Sequence, residues 1–145
     1  DRIVFRVPQT GVQGKFCMNY LLARAVIDGK IALDVFTDEA VRDAKVLALG
    51  ERVTMRTDPQ LKTNDLGGRP CRVTVRLKNG HIYTRYGEHA KGSSANPLSA
   101  AELRTKYLDC ARQALDEKSA ERALTDLQRL ETLPDLRPLC AIMRG

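Results

Sequence analysis

The sequence predicts an α+β fold, with a small antiparallel sheet of about four strands and helices packed on one face. Three observations lead there. Segments alternating apolar and polar residues lie at 3–7, 52–57, 71–78 and 81–86, the period of a half-buried strand. Segments with apolar residues at three- and four-residue spacing lie between the first and second of these and after the last, the period of an amphipathic helix. The order is strand, helices, three strands, helices, which segregates helices to one side of an antiparallel sheet.

Each element has local reasons. Ile3, Phe5 and Val7 alternate with Val4 and Arg6, and Pro8 ends the pattern because it lacks an N–H for a ladder. After a loop at 9–14, a helix is expected up to Gly29, which can take the left-handed conformation of a helix stop. Thr37 is a candidate N-cap for a short helix to about Arg42, and Asp43 for a second through Val46, Leu47 and Leu49 to Gly50. Asp58 and Pro59 stop the strand at 52–57, and Asn64, Gly67, Gly68 and Pro70 mark 58–70 as a loop. Asn79-Gly80 between two alternating runs predicts a hairpin. Beyond the loop Gly87–Pro97, Ser99 and Glu102 match a capping box. The helix it opens carries Leu103, Tyr107, Cys110, Ala111 and Ala114 on one face. A further helix shows Ala120, Ala123, Leu124, Leu127 and Leu130, and Pro134 separates it from a last turn or two with Leu136, Leu139, Cys140 and Met143.

The 145 residues suit one domain, 1–145. Opening on Asp1 and running straight into a strand pattern, the chain reads as a fragment of a longer polypeptide. No window approaches the run of about 20 apolar residues of a spanning helix, and no secretory signal pattern is present; a cytoplasmic protein with no membrane association is expected. Cys17, Cys71, Cys110 and Cys140 are widely spread, without the close-spaced pairs of a structural zinc site, so no metal is expected and the thiols should be reduced and mostly buried. The net charge of +6 suits an anionic ligand, but the cations are scattered among acids with few aromatics, which disfavours nucleic acid.

The helix between Gly14 and Gly29 is unusual. Met18, Leu21, Leu22, Ala25 and Val26 make one apolar face, while Cys17, Tyr20, Arg24 and Ile27 fall on a second stripe. Only Asn19 and Asp28 remain as ordinary solvent-seeking residues. A helix apolar nearly all round is buried on two sides. The expectation is that the first face packs on its own domain and the second presents Tyr20 and Arg24 to something else. The residues alone also allow Tyr20 to be a core tyrosine with a locally satisfied hydroxyl. His81 beside the hairpin turn and His89 in a loop read as exposed.

Gly14-Lys15-Phe16-Cys17-x-x-Tyr20, then Leu22-Ala-Arg-Ala-Val-Ile-Asp-Gly-Lys30 and Phe36-Thr-Asp-Glu39, resemble the opening of the C-terminal domain in the MmgE/PrpD family. Asp43-Ala-Lys-Val-Leu-Ala-Leu49, Asn96-Pro-Leu-Ser99, Glu102-Leu103 and Lys106-Tyr107 extend the resemblance. The family's usual pattern has serine where Cys17 stands. The resemblance implies the lid-like domain of a cofactor-independent lyase, in the first instance a dehydratase of 2-methylcitrate or a related tri- or dicarboxylate. Decarboxylation or epimerisation on the same scaffold, or a non-catalytic binding or dimerisation module, are its alternatives. It implies Tyr20 as a catalytic hydrogen-bond or proton donor, and Lys15, Cys17 and Arg24 as neighbours binding the polycarboxylate. It also implies a helical N-terminal domain carrying most catalytic residues, a homodimer of the full-length protein, and an inactive isolated fragment.

Overall fold

The computed structural model describes residues 5–62 and 69–144, and the chain divides into two compact units, 1–56 with 108–145, and 57–107. In the first, Thr10 caps a single turn, α1 (Gly11–Gly14), by accepting from the Gln13 N–H at 3.3 Å. The next helix, α2 (Met18–Asp28), begins later than the glycine punctuation suggests and stops at Gly29, whose φ of 71° is left-handed. Two 3-10 turns follow, Leu33–Phe36 and Ala40–Arg42, then α3 (Ala44–Gly50). Thr37 Oγ1 accepts from the Ala40 N–H at 3.0 Å, and Asp43 Oδ1 from the N–H groups of Lys45 and Val46 at 2.9 and 3.3 Å. Asp43 therefore caps α3 as expected, whereas the N-cap position of the 3-10 turn is Glu39, which makes no side-chain cap bond, and Thr37 reaches the Ala40 N–H from two residues further out.

Cys17, Tyr20, Ala23, Val41 and Val46 form the buried core here, with Phe5, Leu21, Phe36 and Leu49 packed against it. At Gly11 the backbone lies directly against the first 3-10 turn: a Cβ there would sit 1.8 Å from the Phe36 carbonyl oxygen. In the C-terminal part, α4 (Ala100–Ala111), which belongs to the second unit up to Tyr107, leads to α5 (Glu117–Leu127), capped by Asp116 at 2.9 Å from the Ser119 N–H, and then to α6 (Arg137–Met143). Ala120, Ala123, Leu124 and Leu139 are buried, whereas Leu130 on the expected stripe is exposed in a 3-10 turn. On α4 the buried residue is Leu108, not the Leu103 of the expected face, which is exposed.

The second unit carries β1 (Cys71–Arg76) and β2 (Ile82–Gly87), paired antiparallel with Val75 opposite Tyr83 and Thr74 opposite Thr84. The hairpin forms where Asn79-Gly80 marks it, with a different turn. The Leu77 N–H donates to the His81 carbonyl at 2.8 Å, and Gly80 has positive φ while Asn79 does not. That is a three-residue loop with glycine in the left-handed position, not the two-residue turn that needs both residues there.

Among the described residues two strands stand where about four were expected. Ile3 and Val4 lie outside the described residues, and Arg6 and Val7 form bends. Residues 52–57 form no strand, and the Val53 backbone is engaged outside any ladder: its N–H donates to the Gly50 carbonyl at 3.0 Å and its carbonyl accepts from Asn19. Alternation makes a strand only when a second strand takes up the ladder. Among the described residues, side chains on both faces of the ribbon are exposed or half-exposed, in place of the expected one-sided cover. Among the described residues no helix is long and apolar enough to cross a membrane. Only Cys17 of the four cysteines is buried; the other three, free and exposed, correct the expectation of mostly buried thiols.

Candidate functional site

The two faces of α2 are largely the reverse of those expected, although Leu21 of the first packs against the core and Ile27 of the second is 46% exposed. Cys17, Tyr20, Ala23 and Arg24 turn inward, with Tyr20 1% exposed, while Met18 and Val26 are 46% and 60% exposed. Asn19, expected at the surface, is buried. The cause lies in the segment 33–43. Its short 3-10 turns supply few intrahelical donors, the Ala40 carbonyl receiving the Asp43 N–H only at 3.3 Å, and burying such groups requires donors from elsewhere. Tyr20 and Arg24 supply them, which the aliphatic face could not do.

The Tyr20 hydroxyl donates to the Val35 carbonyl and accepts from Arg24 Nε at 3.0 Å. Arg24 Nη2 donates to the Ala40 carbonyl at 2.7 Å. Arg24 Nη1 lies 3.4 Å from Asp28 Oδ2 and 3.6 Å from Asp43 Oδ2. Burial pulls the Arg24 pKa down, but the Tyr20 hydrogen bond and the charges around it outweigh this and leave it raised. The guanidinium is thus a permanent cation whose donors are committed to protein groups. Asn19 Nδ2 donates to the Gly50 and Val53 carbonyls, each at 3.0 Å, tying α2 to the end of α3.

Of the residues singled out in the sequence, the structure brings Cys17, Tyr20 and Arg24 to one buried face. The Cys17 thiol lies 3.4 Å from the Arg6 carbonyl, to which it can donate. Lys15 stands apart and exposed, its ammonium 5.7 Å from the centre of the Phe36 ring. A cavity of about 360 Å³ opens beside Tyr20, lined among others by Arg6, Pro8, Asn19, Val46 and Glu51. Sequence reasoning missed Asn19 and Asp43 as parts of this arrangement. Asn19 could have been found from one signal, a polar side chain near Tyr20 on a helix with little other polar surface. His81 is exposed as expected, whereas His89 is half-buried with Nε2 3.8 Å from Glu88.

The arrangement can hold a turn of chain rigidly against a helix, and it offers a cation and a phenol in contact beside a cavity. A family model of the MmgE/PrpD C-terminal domain matches residues 1–132, and the chain belongs to that family. It is 24% identical to the mouse cis-aconitate decarboxylase over 155 aligned positions, covering all of this chain and 32% of the relative. The human cis-aconitate decarboxylase is 23% identical, covering 99% of this chain and 32% of the relative. A cis-aconitate decarboxylase-like protein, oryM, of Aspergillus oryzae is 25% identical, covering 95% and 28%. The chain therefore spans about a third of the length of the curated relatives it matches.

Proposed function

We propose that this chain is the C-terminal domain of a cofactor-independent lyase acting on a tri- or dicarboxylate, and that the reaction is a decarboxylation of a substrate such as cis-aconitate. The observation that carries this is the alignment of the three relatives along 95% or more of the chain, each named a cis-aconitate decarboxylase or likened to one. Dehydration of 2-methylcitrate is the alternative on the same scaffold. Loss of carbon dioxide leaves an electron pair on carbon that must be protonated, so the complete site needs a positioned acid and cations for the remaining carboxylates. A helical remainder of the polypeptide would supply most of these. From this chain, Lys15 is an exposed cation, and Arg6 lines the cavity beside Tyr20.

In this reading Tyr20 and Arg24 position the domain's own chain. The phenol proton is already given to Val35 and its oxygen already receives Arg24, so both hydroxyl functions are used within the protein. Cys17, wholly buried, serves the same packing. A second reading, in which Tyr20 is the proton donor, is favoured by the guanidinium held against its oxygen, which would stabilise charge left on the phenol. It requires a substrate oxygen to replace the Val35 carbonyl. The test of the reaction is turnover by the polypeptide carrying this chain, supplied with cis-aconitate and separately with 2-methylcitrate. Carbon dioxide released from cis-aconitate is expected; water lost from 2-methylcitrate with all carbon retained would overturn the decarboxylase reading.

A further inference from the structure

The charge of the chain is not evenly spread. Residues 57–107 hold nine Lys and Arg against four Asp and Glu, a net +5 of the total +6. Between Arg69 and Gly87 there are five cations and no acid. Arg72 is paired, 2.9 Å from Asp58. Arg69, Arg76, Lys78 and Arg85 are exposed and make no ion pair among the described residues. Among the described residues, exposed cations without an ion pair occur in the other unit too, Lys30 and Lys45 included; what distinguishes the ribbon is that no acid lies among its five cations.

These cations sit on a ribbon short of neighbours. Among the described residues the sheet has two strands, so each strand keeps one unpaired edge of N–H and C=O groups. Directly opposite residues share a face: Arg85 lies with Val73 and Tyr83 with Val75 on one, Arg76 with Ile82 and Arg72 with Tyr86 on the other. Ile82, Tyr83 and Tyr86 are 53%, 60% and 49% exposed. A two-stranded ribbon with both faces wet is marginal in water.

We infer that the ribbon β1–β2 takes up an extended acidic protein segment as a third strand. An added strand supplies the missing main-chain hydrogen bonds and places alternate side chains over both faces, which matches unpaired cations on both. A nucleic-acid duplex would engage one face and has no backbone to complete a ladder. A second copy of the ribbon brings the same positive charges edge to edge, which opposes pairing.

The test is fluorescence anisotropy of a labelled short peptide alternating glutamate and threonine, titrated with this chain at low and at physiological salt. Saturable binding is expected, weakened about tenfold or more in Arg76→Gln/Arg85→Gln but less than about threefold in Lys30→Gln/Lys45→Gln, which removes equal charge from the other unit. All four side chains are exposed, and circular dichroism checks that each variant keeps its fold. A peptide of unchanged charge with proline at alternate positions lacks the N–H groups of a strand and should also bind about tenfold more weakly. Absence of binding, equal losses in the two double variants, equal affinity of the proline peptide, or tighter binding of a DNA duplex than of the peptide would each overturn the inference.

Discussion

Replacing Tyr20 by phenylalanine removes one oxygen from a buried hydroxyl that makes two hydrogen bonds. The ring is retained, so its packing near Gly14 persists and no cavity is created. What is lost is the donor to the Val35 carbonyl and the acceptor for Arg24 Nε. A buried acceptor left unmade costs about 1–3 kcal/mol, and a charged donor left unmade costs at least as much. Arg24 keeps the Ala40 carbonyl, Asp28 and Asp43 as partners, which puts its share at the low end. The expected loss is therefore about 2–3 kcal/mol, close to the total for the carbonyl plus a small charged contribution. Urea unfolding followed by circular dichroism reads this as a lowered midpoint at unchanged slope. Tyr83→Phe, at a residue 60% exposed, should stay within about 0.5 kcal/mol of the parent. A Tyr20→Phe loss as small as that control would refute the buried double role of the hydroxyl.

Other perturbations follow from the same geometry. Gly11→Ala places a methyl 1.8 Å from the Phe36 carbonyl oxygen, so thermal unfolding should show roughly 3 kcal/mol or more of destabilisation; wild-type stability would contradict this close approach. Asn19→Leu strips donors from the Gly50 and Val53 carbonyls, and a loss of about 2 kcal/mol in urea is expected, with none if α2 and α3 are not tied this way. The Ser99 N–H and hydroxyl and Lys91 hold Glu102 well below the usual carboxylate value of 4.5, at about 2. Because the folded value is depressed, the contribution of this cap is complete above pH 4.5 and is lost as pH falls through about 2. The Ser99 amide resonance should titrate near the lower value, and a midpoint near 4.5 would show the capping box open.

The sequence carried the local grammar of this fold and less of its tertiary choices. Caps at Asp43 and Ser99, the Thr37 bond to the Ala40 N–H, the Gly29 stop and the Asn79-Gly80 hairpin are written in a few adjacent residues, because their hydrogen bonds close within one turn. The α2 face could not be read the same way. A helix apolar on both sides does not say which side packs inward, and the deciding groups are carbonyls of a segment up to 16 residues away. Residues 52–57 likewise have a distant partner: Asn19, 34 residues earlier, takes the Val53 carbonyl. The family was legible from the joint occurrence of its motifs, and residues 1–132 match its model.

The most direct test of the Tyr20–Arg24 arrangement is the kcat of Tyr20→Phe against the parent, in the polypeptide carrying this chain, with cis-aconitate and with the folded fraction measured in the same samples. The account predicts that kcat per folded molecule stays within about tenfold of the parent, the loss appearing instead in stability. A fall of about a hundredfold or more with folding kept is the scale of a lost acid–base group, and it would contradict the positioning role and return Tyr20 to the chemistry.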